Sequence, residues 1–134
     1  MAIELRFPTR QLIEEKHDWL LERYGGLPGV RDENALGSAI ARAEQVLFYR
    51  EGQVNDLFDA AAALAWGIRR SHPFADANKR TSWLVLQTFL AANGVELRVA
   101  PDAAVSWMVK LANNEISEDE LAELLRTQYK RQTR

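Results

Sequence analysis

Residues 69–83 read RRSHPFADANKRTSW. This stretch holds one of the chain's two histidines together with a carboxylate, an amide, a lysine and three arginines. Pro73 disfavours helix at Ser71 and His72, and helical spacing resumes near Ala77. The stretch therefore reads as a loop that interrupts two helices and feeds the N-terminus of the second.

Working outward, the punctuation on both sides is helical. Upstream, a small apolar helix opens near Asp56 and runs through Arg70; its Ala60–Leu64 segment allows close approach by neighbours and marks it as central. Before it, REGQVND reads as a loop. Asp32 caps a helix that carries Leu36, Ile40, Ala43 and Leu47 on one side. Thr9 caps another, with Leu12, Ile13, Leu20, Leu21 and Tyr24 at helical spacing, and YGGLPG stops it. Downstream, the helix from Ala77 to about Ala92 ends at Asn93-Gly94. VELRVAP reads as a short extended segment. Asp102 caps a helix to about Asn113, and Ser117 with Glu120 forms a capping box for a last helix to near Lys130, followed by a frayed tail. Trp19, Trp66, Trp83 and Trp107 fall on these helices and are expected in the interior. The fold class is all-α: a single compact domain of about six helices over residues 1–134.

The composition agrees. At 134 residues with 47% hydrophobic and 27% charged, the chain is an ordinary globular domain. A net charge of −2 argues against a broad electrostatic nucleic-acid binder. There is no cysteine, which excludes disulfides, thiolate nucleophiles and zinc–thiolate sites and fits a reducing cytoplasm. MAIELRFPTR lacks the apolar core of a signal peptide. The most apolar run, LFDAAAALAWGI, carries Asp59 and falls well short of the ~20 residues of a membrane span.

The loop itself carries chemistry. The first turn of a helix has unpaired N–H groups and a partial positive charge, an anion site that suits phosphate. Lys79 and Arg80 stand in that turn and oppose the dipole by a few tenths up to ~1 kcal/mol, a conflict that an anionic ligand offsets. Asp76 adds the single carboxylate with which phosphate oxygens and water hold magnesium. His72 is placed to take a proton from an attacking hydroxyl, a contribution of ~10²–10⁴-fold. Asn78 can donate to a phosphate oxygen, and Phe74 anchors the loop. Arg70 either steers phosphate or an acidic target surface, or is a solvated cation at a helix end. Structural readings stand beside these: Asp76 as a helix cap, Lys79 and Arg80 as solvated charges, His72 as a buried hydrogen-bonded histidine. His17-Asp18 has the form of a metal phosphohydrolase pair, but the further histidines such a site needs are missing, and it reads as helix surface or a structural contact.

His72, Phe74, Asp76, Asn78 and Arg80 together resemble the signature of the Fic/Doc family, H-x-F-x-(D/E)-x-N-x-R. The form HPFADANKRT, with YGGLPG before it and NGVEL after it, is similar to the Doc (death-on-curing) toxin branch, and the resemblance covers nearly the whole chain. It implies His72 as general base, Asp76 as the Mg2+ ligand, and Asn78 and Arg80 as holders of ATP phosphates. Lys79 replaces the glycine of typical Fic enzymes and crowds a phosphate's approach to the backbone. In the Doc branch this goes with a reversed nucleotide that offers its γ-phosphate. The implied activity is that of a protein kinase acting on a threonine of elongation factor Tu and arresting translation, as the toxin of a toxin–antitoxin module. The alternatives are Fic-type AMP transfer and a catalytically silent binding partner. Trp83 stands where the wider motif has a second arginine, which weakens the AMP-transfer alternative. The inhibitory pattern (S/T)-x-x-x-E-(G/N) finds no match: Glu33-Asn34 and Glu51-Gly52 have Gly29 and Leu47 at the required place. Inhibition in trans by a Phd-like antitoxin is the implied partnership, with no direct nucleic acid and no membrane. FYREGQVND occupies the place of the family's target-clamping flap.

Overall fold

The computed structural model of the chain describes residues 8–49 and 54–133. Six helices follow one another: α1 (Arg10–Tyr24), α2 (Glu33–Tyr49), α3 (Val54–Ser71), α4 (Asn78–Ala92), α5 (Pro101–Ala112) and α6 (Glu118–Gln132). Among the described residues β-pairing is limited to one isolated antiparallel bridge, Val30 to Phe74, so the fold is all-α. Of the loop expected at residues 50–56, which holds most of the flap position, residues 50–53 lie outside the described residues, as do residues 1–7, while residues 54–56 already belong to α3, which starts two residues earlier than expected. None of the described helices is long and apolar enough to cross a membrane.

Caps set most of the boundaries. Thr9 Oγ1 accepts from Leu12 N at 3.1 Å, and Asp32 Oδ1 accepts from Ala35 N at 3.0 Å. Ser117 and Glu120 form the reciprocal capping box at the start of α6. One cap is different. Pro101 takes the first turn of α5 and Ala100 the cap position; Asp102 lies within the helix, because proline's fixed φ favours the first helical position. The tail is also more ordered than its composition implies. α6 runs to Gln132, whose side chain accepts from Arg98 N at 2.8 Å and donates to Glu96 O. Gln128 donates to Arg98 O at 2.6 Å. Two glutamines thus replace the strand partner that the extended segment before α5 lacks.

α3 is the central helix and packs against α2, α4, α5 and α6. Ala60 through Ala65 are all fully buried, since their short side chains let four neighbours approach. Gly67 continues this: a β-carbon there would stand 2.8 Å from Ala39 Cβ on α2. Asp59 of α3 accepts from Arg126 of α6 at 3.0 Å in a largely buried ion pair. Trp66, Trp83 and Trp107 pack against the core as expected. Trp19 does not: it is 44% exposed, with the Arg23 guanidinium over its ring at 4.6 Å. Exposed tryptophan covered by arginine gains from the ring's negative face without burial.

Candidate active site

The loop between α3 and α4 is built on Phe74. Its ring is buried at 1% exposure, which stabilises by roughly 1.5–3 kcal/mol. His17 of α1 stacks on it, with centroids 3.9 Å apart and planes 10° from parallel. His17 is itself buried, and its Nε2 donates to the Asp76 carbonyl at 2.8 Å. Of its two expected roles, the structural contact is the right one and the helix surface is not. Its position was readable in part: Ile13, His17 and Leu20 share one buried face of α1 at helical spacing.

Asn78 closes the loop from the other end. Its Oδ1 accepts from Phe74 N at 3.1 Å and its Nδ2 donates to Phe74 O at 3.0 Å. The side chain is buried, and both polar atoms of its amide are used on the Phe74 backbone. Ala77, the residue before it, takes a left-handed conformation with φ 60°, and no side chain caps α4. The first-turn N–H groups of Asn78, Lys79 and Arg80 therefore have no intrahelical acceptor.

The turn after α1 is the second wall of the site. Arg31 N and Asp32 N donate to the Pro73 carbonyl at 2.7 and 3.0 Å, and Ala75 N donates to Gly29 O at 3.2 Å. Arg31 also clamps the end of α3: Nε and Nη2 donate to His72 O at 2.9 and 2.7 Å, and Nη2 donates to Ser71 O at 3.0 Å. These bonds hold His72 at φ 47°, a left-handed conformation costing a non-glycine residue about 1–3 kcal/mol. Helix α3 extends to Ser71 despite Pro73, and the backbone reverses at His72. Its imidazole is left exposed.

Asp76 is exposed, and both carboxylate oxygens are engaged. Oδ1 accepts from Ala77 N at 2.8 Å and Oδ2 from Leu27 N at 3.2 Å. These two N–H groups, the first being the stronger, and then the Arg80 guanidinium hold its carboxyl below the usual carboxylate range. Gly26 makes room for it: a β-carbon there would lie 2.9 Å from Asp76 Oδ2, and its φ of +129° suits glycine. Arg80 sits over the Tyr24 ring at 4.8 Å, and Lys79 is exposed on the same first turn.

The arrangement has two halves. Asp76 and Arg80 interact at the N-terminus of α4, with Lys79 beside them in sequence. His72 and Arg70 share a small cleft at the end of α3. The carboxylate half is ionised and offers one anionic ligand beside free N–H donors, which fits magnesium held by a carboxylate and phosphate oxygens. Among the described residues no three His, Cys, Asp or Glu side chains gather as a metal cage. Sequence reasoning missed His17, Arg31, Gly26 and Leu27 as parts of the site. Only the YGGLPG turn carried a signal for the last two, and it pointed to a helix stop.

The Fic/DOC family profile matches residues 7–90, which include the whole loop and α4's first turn. Over 113 residues the chain is 38% identical to the protein kinase doc of Escherichia phage P1, spanning 84% of this chain and 87% of that protein. It is also 38% identical over 101 residues to the toxin Doc of Mycolicibacterium smegmatis, spanning 74% and 77%.

Proposed function

The chain belongs to the Fic/DOC family, and from that premise we propose that it is a Doc-type toxin that transfers the γ-phosphate of ATP to a protein hydroxyl. The observation that carries this reading is the ionised Asp76, fixed by two backbone N–H groups beside an uncapped helix N-terminus. That pairing suits a polyphosphate with a divalent cation. The 38% identity to a relative named a protein kinase favours phosphoryl over nucleotidyl transfer.

In this reading the α4 N–H groups, Lys79 and Arg80 hold the phosphates. Asp76 would hold Mg2+, which when bound neutralises phosphate charge. His72 takes the proton of the acceptor hydroxyl as its oxygen bonds to the γ-phosphorus. The bond from that phosphorus to the bridging oxygen breaks, and ADP leaves. Positioning and charge stabilisation do most of the work, as in other phosphoryl transfers. His17, Phe74, Asn78 and Arg31 act as positioning residues, because each fixes the loop's backbone or packing. The acceptor is a threonine of elongation factor Tu, which places the protein in the cytoplasm, and a Phd-like antitoxin inhibits it in trans.

ATP labelled at the γ- or at the α-phosphate, incubated with the protein and purified elongation factor Tu, tests this. Label from the γ position on the factor is expected, lost in His72→Ala. Label from the α position would establish AMP transfer instead. No label from either, with ATP shown to bind, would leave the binding-partner reading.

A further inference from the structure

The second half of the site contains more positive charge than the proposed reaction uses. A cleft of about 90 Å³ at the C-terminal end of α3 is lined by Trp66, Arg69, Arg70, His72, Leu111 and Ala112. Two arginines and a histidine are among the residues that line it, and no lining residue carries a carboxylate. Arg69 Nε is buried and has no hydrogen-bond partner among the described residues. Arg69 as a whole is half-buried, and partial burial of its guanidinium lowers the pKa. Arg70 is only loosely tied, with Nη1 donating to Asn114 Oδ1 at 3.4 Å.

Helix-end electrostatics does not account for this. A cation in the last turn of a helix is favourable because the terminal carbonyls are partly negative. Here the Ile68 carbonyl accepts from His72 N, and the Ser71 carbonyl accepts from Arg31. The helix end carries roughly half a negative charge, and two guanidinium groups outweigh it. An unpaired buried donor is costly unless something supplies its acceptor.

We propose that this cleft is a small-oxyanion site, with Arg69 as its principal donor and Arg70 at its mouth. The volume favours a small ligand. At about 90 Å³ the cleft is of a size for one phosphate or carboxylate group. Because His72 lines it, the anion binds next to the proposed base and away from the first turn of α4. Given the phosphotransfer reading, on which this assignment of role rests, the site seats an acidic side chain of the acceptor segment and so selects the acceptor. Free inorganic phosphate offers the same chemistry, and the two sources are separable.

The test titrates the full chain with inorganic phosphate and, separately, with acetate, against potassium chloride at matched ionic strength. The readouts are the Trp66 indole N–H and His72 ring resonances and the melting temperature. Either oxyanion should shift both resonances and raise the melting temperature, and Arg69→Met should weaken the effect about tenfold or more. Arg69→Lys, which keeps the charge, should retain part of it, and Arg80→Gln should leave the Trp66 shift intact. A preference for acetate assigns the cleft to an acceptor carboxylate, and a preference for phosphate assigns it to the free ion. Shifts that survive Arg69→Met, or a Trp66 shift that vanishes in Arg80→Gln, would overturn the proposal, as would a wild type that responds to neither anion. The binding readout is independent of transfer, so a failed labelling experiment leaves this site standing, and an empty cleft leaves the labelling result standing.

Discussion

His72, Asp76, Lys79 and Arg80 are exposed, while Phe74 and Asn78, from the same nine residues, are buried. Of the exposed side chains, Asp76 is held by the Ala77 and Leu27 N–H groups and Arg80 lies over the Tyr24 ring. The buried ones are held by contacts from a distant part of the chain: His17 on the Phe74 ring, and the turn at 26–32 on the loop's backbone. The difference teaches how a reactive surface is kept in place. Charged groups remain solvated and available to a ligand, and an aromatic core with a closed set of backbone hydrogen bonds fixes where they stand. A change at His72 on the outer side should cost activity at constant stability, whereas Asp76, tied to two backbone N–H groups, should also carry some stability. Changes on the inner side should cost stability first.

The sharpest contrast is His72→Ala, which should lower transfer by ~10²–10⁴-fold while urea unfolding stays within ~0.5 kcal/mol of wild type. A large loss of stability would mean that the exposed imidazole also supports the fold. Phe74→Ala should do the reverse and destabilise by about 3–5 kcal/mol in the same unfolding experiment, with transfer lost as a consequence. A folded, stable variant would break the division between the two sides. Gly26→Ala lies on the boundary. Its β-carbon meets Asp76 Oδ2, and a non-glycine residue at that φ should cost about 1 kcal/mol or more. The displaced carboxylate should also raise the magnesium concentration needed for half-maximal transfer, and an unchanged requirement would remove Asp76 from the metal site.

The smallest effect concerns acid. The Asp76 carboxyl is held below its ordinary value in the folded protein, so the unfolded chain binds that proton more readily. Its contribution is fully present above the ordinary carboxylate pKa of ~3.9 and is lost as pH falls through the lower folded value. Wild type and Asp76→Asn should therefore differ in melting temperature near neutrality and converge in strong acid. A gap independent of pH would assign the effect to shape rather than charge.

Much of this was readable from local pattern. Thr9, Asp32 and Ser117 cap helices with their own side chains, and Asn93-Gly94 ends one, because these interactions span three or four residues. The motif from His72 to Arg80 is equally local. Pro101 displaced Asp102 from a cap position through the same short-range rules, applied one residue away. Trp19 and His17 went the other way. They sit two apart on α1 and so on opposite faces; His17 shares the buried face of Ile13 and Leu20, and the Phe74 ring is what it meets there.

Sequence alone determined the six helices, the loop that separates α3 from α4, and the identity of the groups that loop presents. Each of these rests on backbone preference and hydrogen bonds within a few residues. Tertiary structure decided that Asn78 turns inward, that Arg31 grips the carbonyl of His72, that a glycine far upstream gives Asp76 its place, and that Arg69 Nε is buried without a partner among the described residues. Those outcomes depend on which distant surfaces meet, and contacts across 40 to 60 residues leave no periodic trace in the sequence that produces them.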